Sequence, residues 1–330
     1  MEPSDDINNP TLPKGDPTLL NNIAWSTRWS SRQKSETYAR AALACSGECP
    51  KNRLSIPRGY ALVTLGWQAK WRGEFDVSLE NCIEAESCLP EADHQDARAH
   101  TYSILGVLYY SRNRLDLASC ATERGLSIAN PDVNASAYID LLATCATIQR
   151  YKGDRSRAGL TLGRARDMAF GAELARIEHN VARWLLSDGS AKKGLKHAET
   201  SMELCERHSN QVIMPYAQEV IGACHVALGK LDEAEVAFVA GLDLAIEDDD
   251  FRAQCQIINQ YAQLECAREN LDRALDLNRY GAEIAAKMDY PLWERDFALA
   301  LADIHEKLGD LKKALAAHKR AWQFEKERRT

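Results

Sequence analysis

The chain has 330 residues, 45% of them hydrophobic and 27% charged, with a formal net charge of −7. This is the composition of an ordinary globular chain, and the negative balance argues against a general nucleic-acid binder, whose surface is basic. No apolar run approaches the ~18 residues of a membrane-spanning helix, so neither nucleic acid nor membrane is an expected partner and a cytoplasmic location is expected.

The N-terminus, "MEPSDDINNPTLPKGDP", holds four of the ten prolines and has neither the basic start nor the apolar core of a secretory signal. Residues 1–18 read as a disordered arm. None of the ten cysteines forms a CxxC pair, and most stand beside Ala or Leu in helical patterns, as small buried hydrophobes do. Cys45 and Cys49 are the one close pair, and with no matching His or Cys pair nearby a metal site is not expected.

From residue 19 onward the chain repeats. Turns stand at Gly73, Asn113, Gly153, Gly189, Gly229, Glu269 and Gly309, spaced by 40, 40, 36, 40, 40 and 40 residues. Gly or Asn in such a turn accepts the left-handed backbone that ends a helix. A small residue follows five positions after each turn (Ser78, Ala118, Ala158, Gly194, Ala234, Ala274 and Ala314), and often another seven further on (Gly125, Ala165, Ser201, Gly241, Gly281 and Ala321). Small side chains there let a neighbouring helix approach, and added bulk overpacks the contact by about 1–3 kcal/mol. Pro50, Pro57, Pro90, Pro131, Pro215 and Pro291 all fall between repeats, because proline in a helix interior costs ~3 kcal/mol. Each unit is therefore helix A, a tight turn, helix B and a junction, and residues 19–46 form a degenerate first unit. The expected fold is all-α: a right-handed α-solenoid of about eight hairpins with a concave face. Units are expected near 19–55, 56–92, 93–133, 134–171, 172–210, 211–250, 251–290 and 291–330. Strand signals are absent.

"YSILGVLYYSRNRLDLASCATERGL" and "EVIGACHVALGKLDEAEVAFVAGLDLA" resemble tetratricopeptide (TPR) repeats. Leu65-Gly66, Leu105-Gly106 and Ile221-Gly222 match the helix A signature, and Pro90, Tyr109, Ala118, Ala234 and Phe238 fit further consensus positions. The resemblance covers about residues 19–330, with a longer period than the usual TPR, as in the longer-repeat subgroup of bacterial signalling proteins. It implies protein–protein contact through the concave face. "ALADIHEKLGDLKKALAAHKRAWQFEKE" is similar to the last TPR before a GGDEF diguanylate cyclase domain. That similarity implies a signal-input region, although no cyclase motif stands in these residues.

Catalytic motifs are missing: GxxxxGK[ST], GxGxxG, HExxH and GxSxG are all absent. "SDGS" at 187–190 lies in a repeat turn, where Ser and Asp cap backbone. The eight histidines are dispersed; His94 and His100 lack helix-face ligand spacing, and His225 and His305 share a packing position in helix A. The acidic run "IEDDDF" lacks the ligand alternation and glycine of an EF-hand loop and is better explained by an N-cap aspartate. A non-catalytic chain with no cofactor and no metal is expected.

The groove positions of the resembled family, carried onto this register, are Trp67, Lys70, Trp71, Ser103, Val107, Tyr110, Thr147, Arg150, Tyr151, Arg176, His179, Arg183, Tyr216, Glu219, Asn259, Gln263, Asp296, Asp303 and Glu306. The first two thirds of the row are aromatic and cationic, the kinds of side chain that anchor binding and pair with carboxylates. An acidic or C-terminal peptide segment is therefore the expected ligand between Trp67 and Arg183; packed tryptophans with solvated arginines are the alternative. The expected role is a regulatory or input module, or else a standalone adaptor or a peptide-sensing regulator. The last helix carries Trp322 and Phe324 with no capping helix after it. That reads as an unfinished surface for a further domain or for a homodimer through the C-terminal repeat.

Overall fold

The computed structural model describes residues 14–46, 55–90, 93–288 and 290–327, and among them it contains helices and turns but no strand. The helices run α1 (Pro17–Ser26), α2 (Arg32–Cys45), α3 (Ile56–Arg72), α4 (Phe75–Cys88), α5 (Gln95–Ser111), α6 (Leu115–Ile128), α7 (Ala135–Tyr151) and α8 (Arg155–Met168). They continue as α9 (Gly171–Ser187), α10 (Ala191–Arg207), α11 (Met214–Ala227), α12 (Leu231–Glu247), α13 (Phe251–Ala267), α14 (Leu271–Lys287), α15 (Pro291–Lys307) and α16 (Leu311–Glu327). Successive pairs pack as hairpins and each hairpin packs on the next, which makes an all-α helical-repeat solenoid.

The turn residues have the backbone that ends each A helix. Gly73, Gly153, Gly189, Gly229 and Gly309 all have positive φ, and so do Asn113 (55°) and Glu269 (61°). Asn tolerates this left-handed region; Glu269 bears a local cost there that Gly would not. Pro17, Pro57, Pro215 and Pro291 stand in the first turn of α1, α3, α11 and α15, where the missing N–H deprives the helix of nothing. The expected arm of residues 1–18 is thus too long. Asp16 caps α1 by accepting from the Thr18 N–H at 2.9 Å, and Pro17 and Thr18 are helical. Cys49 lies outside the described residues, and Cys45 is free and exposed.

The small-residue positions are where helices touch. Ala118, Ala158, Ala165, Ala234 and Ala274 are completely buried. A Cβ on Gly222 would stand 2.5 Å from the Phe238 ring, and one on Gly281 would overlap the Phe297 ring. Phe297 is itself fully buried, so Gly281→Ala is expected to lower stability by about 1–3 kcal/mol through overpacking. An unchanged urea midpoint would show that the ring has room to move.

A second periodic feature ties repeat to repeat. The basic residue at the end of an A helix reaches an acid 36 residues back, at the start of the preceding B helix. The pairs are Arg72–Glu36, Arg112–Asp76, Lys152–Asp116 and Arg268–Asp232. The last three of these rungs are exposed and fix register more than they add stability, while Arg72–Glu36 is partly buried.

The superhelix closes on itself. α3 packs against α13, the Phe75 ring meets Tyr290 edge-on at 4.7 Å, and Arg252 Nη2 donates to the Tyr110 hydroxyl at 2.8 Å. The first hairpin lies across the opening. Arg28 reaches Glu173 at 3.2 Å, and Arg32 reaches Asp248 at 2.5 Å and Asp250 at 2.6 Å. At the other end of the solenoid, Trp322 is 63% exposed, and Phe324 is half-buried with the Arg320 guanidinium 5.9 Å from its ring.

Candidate functional site

Closure turns the concave face into a partly open cavity of about 100 Å³. Its wall begins with an aromatic row contributed by four hairpins. Trp29 meets Trp67 at 4.7 Å, Trp67 meets Trp71 at 5.8 Å, Trp71 meets Tyr216 at 5.4 Å, and Tyr216 meets His179 at 6.0 Å. Edge-to-face geometry of this kind adds to the burial of each ring. Trp67 is 1% and Trp71 is 8% exposed, because Trp25 and Trp29 of the first hairpin pack against them. These two tryptophans are therefore part of the packed wall and are not open anchors.

Among the described residues five cationic side chains line the cavity, Lys70, Arg150, Arg176, Arg183 and Arg252, with Asp140 as the single lining carboxylate. Asp140 is spoken for: it accepts from Arg176 and lies 3.0 Å from His100 Nδ1. Burial opposes its ionisation, but Arg176 and His100 outweigh burial and hold the carboxyl well below the usual range. Arg183 Nη1 donates to Glu219 Oε2 at 2.6 Å, and Gln256 Nε2 donates to the same oxygen at 2.9 Å.

The remaining three cations are held differently. The Arg252 guanidinium lies over Trp71 and Tyr216, 5.4 and 5.6 Å from the ring centroids. Arg150 lies over the Tyr151 ring at 4.7 Å, and Tyr151 stacks on Tyr110. Lys70 Nζ is 4.6 Å from the Trp71 centroid and 5.1 Å from that of Trp67. Such cation–π contacts compensate only part of the cost of desolvating a cation. Burial pushes the Lys70 ammonium down to about 7 against the pull of Asp140, with Arg176 and Arg252 adding to the effect. His179, buried and facing Arg183, Arg252 and Arg150, is lowered well below its usual value, and among the described residues its Nδ1 has no hydrogen-bond partner.

Of the groove residues expected from the sequence, Trp67, Lys70, Trp71, Tyr110, Arg150, Tyr151, Arg176, His179 and Arg183 all line this cavity, as do Ser103, Val107, Thr147 and Tyr216. Asn259 does not; it accepts from Gln263 on its own helix at 2.8 Å, and Gln256, one turn earlier, takes the place in the wall. Glu219 stands behind Arg183. Asp303 and Glu306 cluster with His318 on the surface of the last hairpin, and Asp296 binds its neighbour Arg295. Trp29, Asp140, Gln256 and Arg252 line the cavity and were missing from the expected set. Asp140 and Gln256 had a signal, since they stand at the same offset before their turn residues as Arg176. Trp29 and Arg252 had none.

No protein-family model matches the sequence, and no curated protein matches it. Solved structures do match in shape. A Rap protein complexed with competence and sporulation factor superimposes with a TM-score of 0.64 at 15% identity, over 94% of this chain and 98% of that one. The Rap conjugation gene regulator of plasmid pLS20, in complex with the Phr* peptide, gives 0.64 at 16% identity over 97% of both chains. A signal-transduction ATPase with a tetratricopeptide repeat sensor from Pyrococcus horikoshii gives 0.54 at 16% identity, over 94% of this chain and 48% of that one. At these identities the likeness concerns the fold, and the fold is the TPR-type helical-repeat solenoid.

Proposed function

We propose that this chain is a non-catalytic, peptide-sensing TPR regulator whose ligand enters the interior of the superhelix. The observation that carries the reading is the cavity, whose wall is aromatic and whose cations outnumber its carboxylates. Aromatic and Arg side chains supply most of the binding energy in protein recognition. Two of the similar folds support the reading, one described with competence and sporulation factor and one with the Phr* peptide. The finer role of an input region for a diguanylate cyclase draws no support from these neighbours; regulation of a partner by a bound peptide fits them better. Ligand binding would act by favouring one curvature of the solenoid over another, to the extent that its affinity differs between them.

Arg150→Glu with Arg183→Glu tests the reading. Replacing a cation that meets a ligand carboxylate removes about 2–5 kcal/mol of affinity. A peptide selected from a random free-acid library by the wild type is therefore expected to lose at least tenfold in affinity for the double variant. Equal affinity of a well-folded variant, checked by circular dichroism, would refute it.

A further inference from the structure

We propose that the cavity is a receptor for one compact oxyanion, a carboxylate or phosphate group, held by Arg150 and Arg252 with Lys70 behind them. The inference rests on the peptide-sensing reading for the source of the anion, and on the cavity alone for its chemistry.

The fold itself supplies the contrast. Where arginine is structural in this interior, a carboxylate is built in beside it: Glu173 for Arg28, Asp248 and Asp250 for Arg32, and Asp140 for Arg176. Removing one partner of such a buried pair is strongly destabilising, because the other charge is left without compensation. Lys70 is only 6% exposed, yet among the described residues neither it nor Arg150 nor Arg252 has a carboxylate at ion-pair distance. What they have instead is rings and the Tyr110 phenol. Three cations without counter-charges around one cavity are costly in a protein at rest, and the cost is removed by an anion. The geometry suits oxygen anions, since guanidinium groups present parallel N–H donors that match carboxylate and phosphate oxygens. The unpartnered Nδ1 of His179 lies in the same wall.

Size narrows the ligand further. A cavity of about 100 Å³ is below the roughly 300–1,000 Å³ of sites that swallow whole organic ligands. It takes an end group. A peptide would place its C-terminal carboxylate there, with the remainder of its chain outside the cavity. The groups that the ligand spans come from α3, α7 and α13, so the anion also bolts together the two ends of the superhelical turn.

The full chain is titrated at constant ionic strength with inorganic phosphate, with acetate, and with one short peptide made as free acid and as amide, following tryptophan emission. Trp67 and Trp71 flank Lys70 and serve as reporters. Saturable binding of phosphate or acetate is expected, weakened at least tenfold in Arg150→Gln with Arg252→Gln and unchanged in Lys192→Gln, an exposed control. Lys70→Met provides a second variant, expected to weaken acetate several-fold without removing a guanidinium. A free acid at least tenfold tighter than its amide supports the peptide carboxylate as source, and phosphate binding without that preference supports a small phosphate compound. Tighter binding of a 5′-triphosphate RNA than of pyrophosphate would overturn the peptide reading and keep the oxyanion site. No saturable anion binding, or equal binding by the double variant, overturns the oxyanion site; if free acid and amide then bind alike, the peptide reading survives it.

Discussion

Asp250→Ala is expected to destabilise the fold by about 3 kcal/mol, the low end of the cost of breaking a buried ion pair, because Asp248 still faces Arg32. Asp250 is fully buried and performs three tasks at once. Its Oδ1 accepts from the Ala253 N–H at 2.8 Å, which caps α13, and from the Tyr216 hydroxyl at 3.0 Å; its Oδ2 accepts from Arg32 at 2.6 Å. The cap alone contributes about 1 kcal/mol. The Arg32 contact matters more, because Arg32 is itself buried and stands on the first hairpin, across the mouth of the superhelix. Asp250→Asn, which keeps an acceptor for the cap and the phenol, is expected to lose less than Asp250→Ala. Arg32→Met strips the same pair from the other side and leaves the buried Asp250 carboxylate without its cation, so it is expected to lose about as much as Asp250→Ala. Urea midpoints rank the three, and amide exchange in α1 and α2 reports whether the first hairpin undocks. An Asp250→Ala variant as stable as the wild type, with α1 and α2 equally protected, would refute the clamp.

The clamp also marks the limit of what the sequence makes legible. The hairpins were readable because their causes are local: a positive-φ residue at each turn, a small residue five positions later, proline only at junctions. The acidic run before α13 was readable as an N-cap for the same reason. Its second role was not, because Arg32 lies 218 residues away. Closure depends on the rotation between successive hairpins, which is small and accumulates along the stack, and no single residue encodes it. The same cause explains the uneven reading of the site. Residues at groove positions of one repeat register, Lys70, Arg150 and Arg183 among them, fall together in the cavity wall. Arg252 reaches that wall from the first turn of α13 only because α13 meets α3. Trp29 reaches it only because the first hairpin folds over the concave side. The indoles are packed, Arg176 and Arg183 are paired with Asp140 and Glu219, and among the described residues Lys70, Arg150 and Arg252 have no carboxylate at ion-pair distance.

Between pH 7 and 9 the affinity of the wild type for a carboxylate ligand is expected to fall several-fold in total, the same factor that Lys70→Met costs. Lys70 is the cause. From its own helix it faces the rings of Trp67 and Trp71, and from the packed helices it faces Cys82 on α4, Asp140 on α7, Arg176 on α9 and Arg252 on α13. Burial and the two arginines place its ammonium at about 7 in the empty protein. A bound carboxylate favours the charged form and raises that value, so binding above pH 7 takes up a proton and weakens as protons become scarce. The neighbouring groups do not titrate in this window. Asp140 is held well below the usual carboxylate range, His179 far below its ordinary value, and burial pushes the Cys82 thiol and the Tyr110 and Tyr216 phenols up. Stability of the empty protein has the opposite slope. Between about 7 and the ordinary lysine value of about 10.4 the unfolded chain binds the extra proton, so unfolding becomes harder as pH rises. Lys70→Met removes both slopes, since it keeps most of the apolar stem and loses the charge. Acetate is the proper probe, because its own titration lies far below the window, whereas phosphate titrates near it. Equal acetate affinity at pH 6.5 and 8.5 in the wild type would show that Lys70 does not face the ligand, and a pH slope that persists in Lys70→Met would assign the titration to another group.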